Sequence, residues 1–185
     1  MARTPSNMLP LGTIAPPFKL PDTVSGSLMS LESLKGKHGT VIMFICNHCP
    51  FVIHVNKELV AIANSYTKKG IRFIAISSND VNHYPQDGPD KMKQHAIAEG
   101  YPFPYLYDES QEVAKAYDAA CTPDLYVFDA NLKLRYRGQL DASRPGNGIP
   151  VTGSDLRHAL DCLLKGEANT RPQKPSIGCN IKWKP

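Results

Sequence analysis

An unbroken apolar run, Thr40-Val-Ile-Met-Phe-Ile45, passes directly into Cys46-Asn47-His48-Cys49-Pro50 and then into a helix-period stripe. Little else in the chain constrains its fold as tightly. A six-residue run rich in β-branched side chains and bounded by turn formers predicts a strand buried on both faces, as in a parallel sheet. Phe51, Val55, Leu59, Ile62 and Tyr66 then recur at the spacing of one helix face. Pro50 suits the first helical position, where a missing N–H costs nothing. Lys68 and Lys69 fill the last turn and Gly70 is expected as the C-cap. Cys49 is then the N-cap.

The alternation continues. Residues 71–77, IRFIAIS, predict a second buried strand; 78–90 are polar; a helix is expected around 90–99 and a short strand at 105–108. Residues 110–119 read as a short helix capped by Ser110, and 154–167 as a last helix capped by Ser154. LYVFD (125–129) and KLRYRGQL (133–140) read as a β-hairpin. Residues 30–39 offer one helical turn, 1–27 a Pro- and Ser-rich extended arm with short strands, and 168–185 a C-terminal tail. Strand–helix–strand, then hairpin, then helix predicts an α/β sandwich with a mixed sheet, and 185 residues suit a single domain.

Composition narrows the function classes. A net charge of +4, spread along the chain, is too small and too dispersed to point to a nucleic acid. No stretch approaches the ~18 consecutive apolar residues that cross a membrane. The first twenty residues hold four prolines and do not read as a secretory signal, so a reducing, cytoplasmic setting is expected. In such a setting five cysteines suggest redox chemistry, metal binding or burial. No glycine motif for a nicotinamide, flavin or phosphate appears, so no cofactor is expected.

The two thiols of the junction are not equivalent. A thiol is a nucleophile as its thiolate, and a helix N-terminus favours negative charge. Cys49 at the cap is therefore the expected nucleophile and Cys46, three residues earlier at the strand's end, its partner; His48 adds positive charge nearby when protonated. A zinc or copper set built on Cys46, Cys49 and Cys121, with His48 and His54 as further donors, is the alternative, and no second C-x-x-C pair completes it. A non-catalytic peptide-binding module with idle cysteines is the other. Asn79 and Asp80 follow a strand end, where either function or a turn explains them. Arg144, beside Asp141 and Asn147, is a weaker candidate for orienting a substrate. Cys162 is expected in the core of the last helix.

The layout resembles the thioredoxin superfamily, and within it the peroxiredoxin-like (alkyl hydroperoxide reductase / thiol-specific antioxidant, or redoxin) group. GTIAPPFKLPD (12–22) and SLESLKGK (30–37) are similar to that group's N-terminal β extension, and CTPDLYVFD (121–129) to the superfamily's loop before a central strand. The resemblance covers about residues 10–167. It implies a three-layer sandwich, a central mixed sheet flanked by helices. It implies a cis peptide at Pro123, with Thr122 presenting backbone groups to an extended substrate beside the thiol and Cys121 brought near the site, as a third redox thiol or as a packed small residue. It also implies an antioxidant or exchange activity on disulfides or peroxides, with a thioredoxin- or glutathione-type thiol as reductant.

Laid without gaps on the thioredoxin pattern, Cys49 takes the attacking position and Val52 the second; alternatively Cys46–Cys49 is itself the C-x-x-C pair. The peroxide-reducing pattern P-x-x-x-T-x-x-C, ending on Cys49, places Cys46 at its threonine and Ile42 at its proline. Cys46 is the first choice to resolve Cys49 and Cys121 the second. Cys179 lies beyond the last helix; exposed there, it is one candidate for a resolving or intermolecular role, which the sequence does not assign.

Overall fold

A computed structural model describes residues 3–185. The N-terminal arm carries β1 (Arg3–Pro5), β2 (Lys19–Pro21) and β3 (Leu28–Ser30), followed by the single turn α1 (Leu31–Leu34). The core follows as β4 (Gly39–Phe44), α2 (Pro50–Thr67), β5 (Ile71–Ser77), α3 (Pro89–Ala98) and β6 (Tyr105–Tyr107). Then come α4 (Glu112–Ala116), β7 (Cys121–Thr122), β8 (Asp124–Asp129), β9 (Leu134–Gly138), α5 (Ser154–Lys165) and β10 (Ile177–Asn180).

Five strands form the central sheet in the order β6-β5-β4-β8-β9. β4, β5 and β6 run parallel, while β8 lies antiparallel to β4 and β9 to β8. The sheet is therefore mixed, as the parallel-then-hairpin pattern predicts. Side chains of β4 alternate between its two faces. Val41 and Met43 face a layer in which Leu59 and Ile62 of α2, Met92 of α3 and Leu160 of α5 are buried. Ile42 and Phe44 face Phe18, Leu31 of α1 and Ala114 of α4. Helices on one face, sheet, and arm with short helices on the other make three layers.

Three caps differ from expectation. α2 ends at Thr67 with Lys68 as its C-cap, and Gly70, at φ +80°, serves the turn into β5. The N-cap of α4 is Gln111 rather than Ser110, because the Gln111 side chain is drawn inward to bond the Ser78 and Lys182 carbonyls at 2.6 and 2.8 Å. The N-cap of α5 is Gly153 rather than Ser154: Asp141 Oδ2 accepts from the Thr152 and Gly153 amides, and a Cβ on Gly153 would lie 2.5 Å from Ile62. On α2 Val52 is fully buried, whereas Phe51 only borders the core.

The C-terminal residues 168–185 are more than a tail. β10 lies between β1 and β7 in a second, antiparallel three-stranded sheet, with Cys179 opposite Thr122 and Asn180 opposite Cys121. Beneath β7, Asp124 and Arg137 form an ion pair at 3.0 Å with neither side chain exposed, and the guanidinium covers the Tyr126 ring. Burial pushes the Asp124 carboxyl up and Arg137 opposes that shift. Removing one member of such a pair leaves an uncompensated buried charge. Arg137→Met is expected to lower stability by about 3–5 kcal/mol in denaturant unfolding. Arg137→Met with Asp124→Asn should recover part of that loss.

Candidate thiol site

The site forms where β4 stops. Its last paired residue is Phe44; Ile45 still bonds the Ile76 carbonyl, and the chain turns through Cys46-Asn47-His48 into α2. Pro50 occupies the first turn and Cys49 is the N-cap, with extended backbone. Cys49 Sγ lies 3.2 Å from the Thr122 carbonyl oxygen and 2.8 Å from Cys179 Sγ. Cys46 Sγ lies 3.4 Å from Thr122 Oγ1. All three sulfurs are buried. Three segments far apart in sequence thus converge on Thr122.

The thiols differ in acidity. Cys49 is lowered from the ordinary 9.0 to about 5, chiefly by hydrogen bonding from Cys46, against the opposing effect of burial, with Cys179, Thr122 and the Val52 amide adding to it. Cys46 is raised well above the ordinary value by that interaction with Cys49, by burial and by the Asp87 charge. Burial, and then Cys49, push Cys179 up to about 12. One sulfur carries the charge and two neutral thiols donate toward it.

Asp87 braces the turn. It comes from the polar stretch after β5, which folds back beneath the junction. Its Oδ1 accepts from the Asn47 amide at 2.8 Å; its Oδ2 accepts from Asn79 Nδ2 at 2.8 Å and lies 2.6 Å from His48 Nδ1. The His48 ring stacks on Tyr84. The donor atoms of Cys46, His48 and Asp87 lie within 4.8 Å of one another, a three-ligand grouping of the kind that suits zinc. Both Asp87 oxygens already serve the turn, and Cys121 is outside that group.

The structure brings Cys46, Cys49, Thr122 and Pro123 together, and the Thr122–Pro123 peptide is cis. Cys121 Sγ donates to the Pro123 carbonyl at 3.7 Å, and burial pushes its thiol far up; the sulfur from outside the junction that lies against Cys49, at 2.8 Å, is that of Cys179. Cys179, expected as exposed, is 1 % exposed because β10 is sandwiched between β1 and β7. Cys162 is buried on α5, as expected. Arg144 bonds its own loop, at the Asp141 and Ser143 carbonyls and Gln139. Asn79 and Asp80 hold the tail: Asn79 Oδ1 accepts from the Lys182 amide and the Asp80 amide bonds the Lys182 carbonyl, each at 2.8 Å.

Sequence reasoning missed Asp87 and the placement of Cys179. A polar stretch carries no periodicity that separates a buried acid from a solvated one. Gly178 beside Cys179 was the available signal for a tail strand in close backbone contact.

The chain matches the AhpC/TSA family over residues 11–137. Among solved structures, an uncharacterized conserved protein from Geobacillus kaustophilus is 63% identical, with a TM-score of 0.98, over 100% of this chain and 98% of that one. A hypothetical protein from Sinorhizobium meliloti is 47% identical, with a TM-score of 0.95, over 98% of each chain. A peroxidoxin from Mycobacterium tuberculosis shares the fold at 17% identity and a TM-score of 0.62, over 88% of this chain and 98% of that one. No curated protein matches the chain.

Replacing Asp87 by Asn keeps its shape but turns an acceptor into a donor facing either the Asn47 amide or Asn79 Nδ2. A buried donor without a partner costs about 1–3 kcal/mol, and the lost charge adds to that. Asp87→Asn is expected to lower unfolding stability by about 3 kcal/mol. It should also bring the Cys46 thiol down toward its ordinary value, seen as earlier thiolate formation in an ultraviolet titration.

Proposed function

The chain belongs to the AhpC/TSA family, and on that premise we propose that it is a thiol–disulfide oxidoreductase in which Cys49 attacks a disulfide. Thiol-dependent redox chemistry is what the family supports. The observation that carries the finer reading is the placement of Cys49 Sγ, a helix N-cap sulfur held near a pKa of 5 and set 3.2 Å from the Thr122 carbonyl next to a cis-proline. At neutral pH it is already a thiolate and needs no separate base.

Thr122 and Pro123 border the sulfur and shape its approach. Cys46 acts on Cys49 as a neutral donor. It also stands where the peroxide-reducing pattern has a threonine hydroxyl, which favours a disulfide over a peroxide as substrate. A low-molecular-weight or protein dithiol returns the enzyme to its reduced form. A reducing, cytoplasmic setting is part of the same proposal, because the attacking sulfur has to be regenerated between turnovers.

The test is the pH profile of exchange between the reduced protein and a small aromatic disulfide. The second-order rate should stay nearly flat from alkaline pH to about 6, then halve near 5 as Cys49 takes a proton. Free cysteine, with a pKa of about 8.5, loses about tenfold per pH unit over the same range. Cys49→Ser should abolish the fast phase. A rate that falls tenfold per unit from neutrality would overturn the reading, and rapid consumption of hydrogen peroxide without disulfide exchange would replace it with a peroxidase.

A further inference from the structure

We propose that Cys179, carried on the C-terminal strand, is the thiol that resolves the Cys49 adduct within the same chain. The inference rests on Cys49 being the attacking sulfur and goes beyond it by naming the second half of the reaction and the segment that delivers it.

Proximity comes first. The two sulfurs are 2.8 Å apart although 130 residues separate them in sequence. A disulfide bond is about 2.05 Å long, so bond formation asks for a shift of under about 1 Å. The backbone makes that approach possible at one residue. A Cβ on Gly178 would lie 1.9 Å from the Thr122 carbonyl oxygen and 2.5 Å from its carbon. Only glycine lets β10 run this close to β7, and the residue it delivers is Cys179.

The strand is held on both sides of that residue. Before it, the Ser6 amide bonds the Ser176 carbonyl. After it, the Ile181 amide bonds the Ala120 carbonyl. Further on, Lys182 is fixed by Asn79, Asp80 and Gln111, and the Lys184 amide by Gln111 Oε1 at 2.8 Å. Sustained anchoring of the last ten residues explains why a terminal segment stays beside the site at all, where ends of chains ordinarily fray. Apart from the buried Cys179 and Ile181 the anchors are polar, and the segment carries less apolar burial than the central sheet, so it opens at lower cost.

Opening is needed, because Cys49 is 0 % exposed. A disulfide reaches it only when β10 moves aside. Cys46 also donates to Cys49, but it sits in the turn pinned by Asp87 through Asn47, with its sulfur 3.4 Å from Thr122 Oγ1.

The reaction balances as two exchanges. The Cys49 thiolate attacks a substrate disulfide R–S–S–R, forming Cys49–S–S–R and releasing RS⁻. β10 re-docks; the Cys179 thiol passes its proton to the departing thiolate and its sulfur attacks Cys49 Sγ. This expels the second R group as RSH and leaves Cys49–S–S–Cys179. The Cys49 thiolate and the Cys179 thiol are oxidised, the substrate is reduced to RS⁻ and RSH, and an external dithiol reverses the oxidation of the protein.

The experiment maps the disulfide. The reduced full chain is given one equivalent of a small aromatic disulfide, alkylated, digested without reductant and examined by mass spectrometry. A Cys49–Cys179 cross-linked peptide is expected. In Cys179→Ser the same treatment should stop at the Cys49–R mixed disulfide, with one equivalent of R thiol released per chain and no second release. Turnover with excess dithiol should then fall more than tenfold. A Cys46–Cys49 or Cys49–Cys121 link in the wild type, or an unchanged second release in Cys179→Ser, overturns the proposal. The wild-type map needs no variant, so misfolding of Cys179→Ser leaves the test intact. Absence of any Cys49–R adduct in Cys179→Ser, together with no cross-link in wild type, identifies failure of the exchange reading itself.

Discussion

The passage of Gly178 against the Thr122 carbonyl is the contact on which the site depends. Without it β10 stands off β7, the second sheet loses its middle strand, and Cys49 loses the Cys179 sulfur that lies 2.8 Å from it. The central sheet is built chiefly on other contacts: β4, β5 and β6 are buried through apolar packing, to which the tail adds Cys179 and Ile181. The protein thus divides into a rigid frame that fixes the helix N-terminus and a small polar closure that finishes the site around it.

Enclosure makes the electrostatics effective. A thiolate in a dry environment is costly, and burial opposes the Cys49 charge. Donors outweigh that cost: the Cys46 and Cys179 thiols, Thr122 and the amide end of α2. Asp87 contributes by geometry and by sign. It holds Asn47 and His48 in the turn, and its negative charge raises Cys46, which keeps that thiol protonated and able to donate. A neutral residue at that position would leave Cys46 and Cys49 closer in acidity and their roles less distinct.

The frame was legible because its signals are strong and local. TVIMFI and IRFIAIS are near-continuous apolar runs of strand length, the stripe on α2 repeats at the helix period, and Pro50 marks a helix start. Cys49 as N-cap followed directly. The caps at Gln111 and Gly153 were not legible, since each is set by a tertiary demand: Gln111 reaches the tail, and Gly153 must clear Ile62. Asp87, Asn79 and Asp80 sit in a stretch whose composition matches a solvated loop; what buries them is their mutual pairing with the turn and the tail, and pairing leaves no period. β10 is four residues long, too short for alternation to rise above chance.

That division has a consequence for how the chemistry is controlled. The acidity of Cys49 depends partly on Cys179, so the sulfur is most acidic while the tail is docked and inaccessible, and loses one donor when the tail lifts. The thiolate made in the closed site is therefore presented in the open one with somewhat higher basicity, and a more basic thiolate is the better nucleophile. In the proposed reaction, re-docking restores the donor and brings the second sulfur to the newly formed bond. One strand would then both tune the first step and supply the reactant for the second, and the residues that anchor it, Asn79, Asp80 and Gln111, would serve that reaction although none of them touches a sulfur.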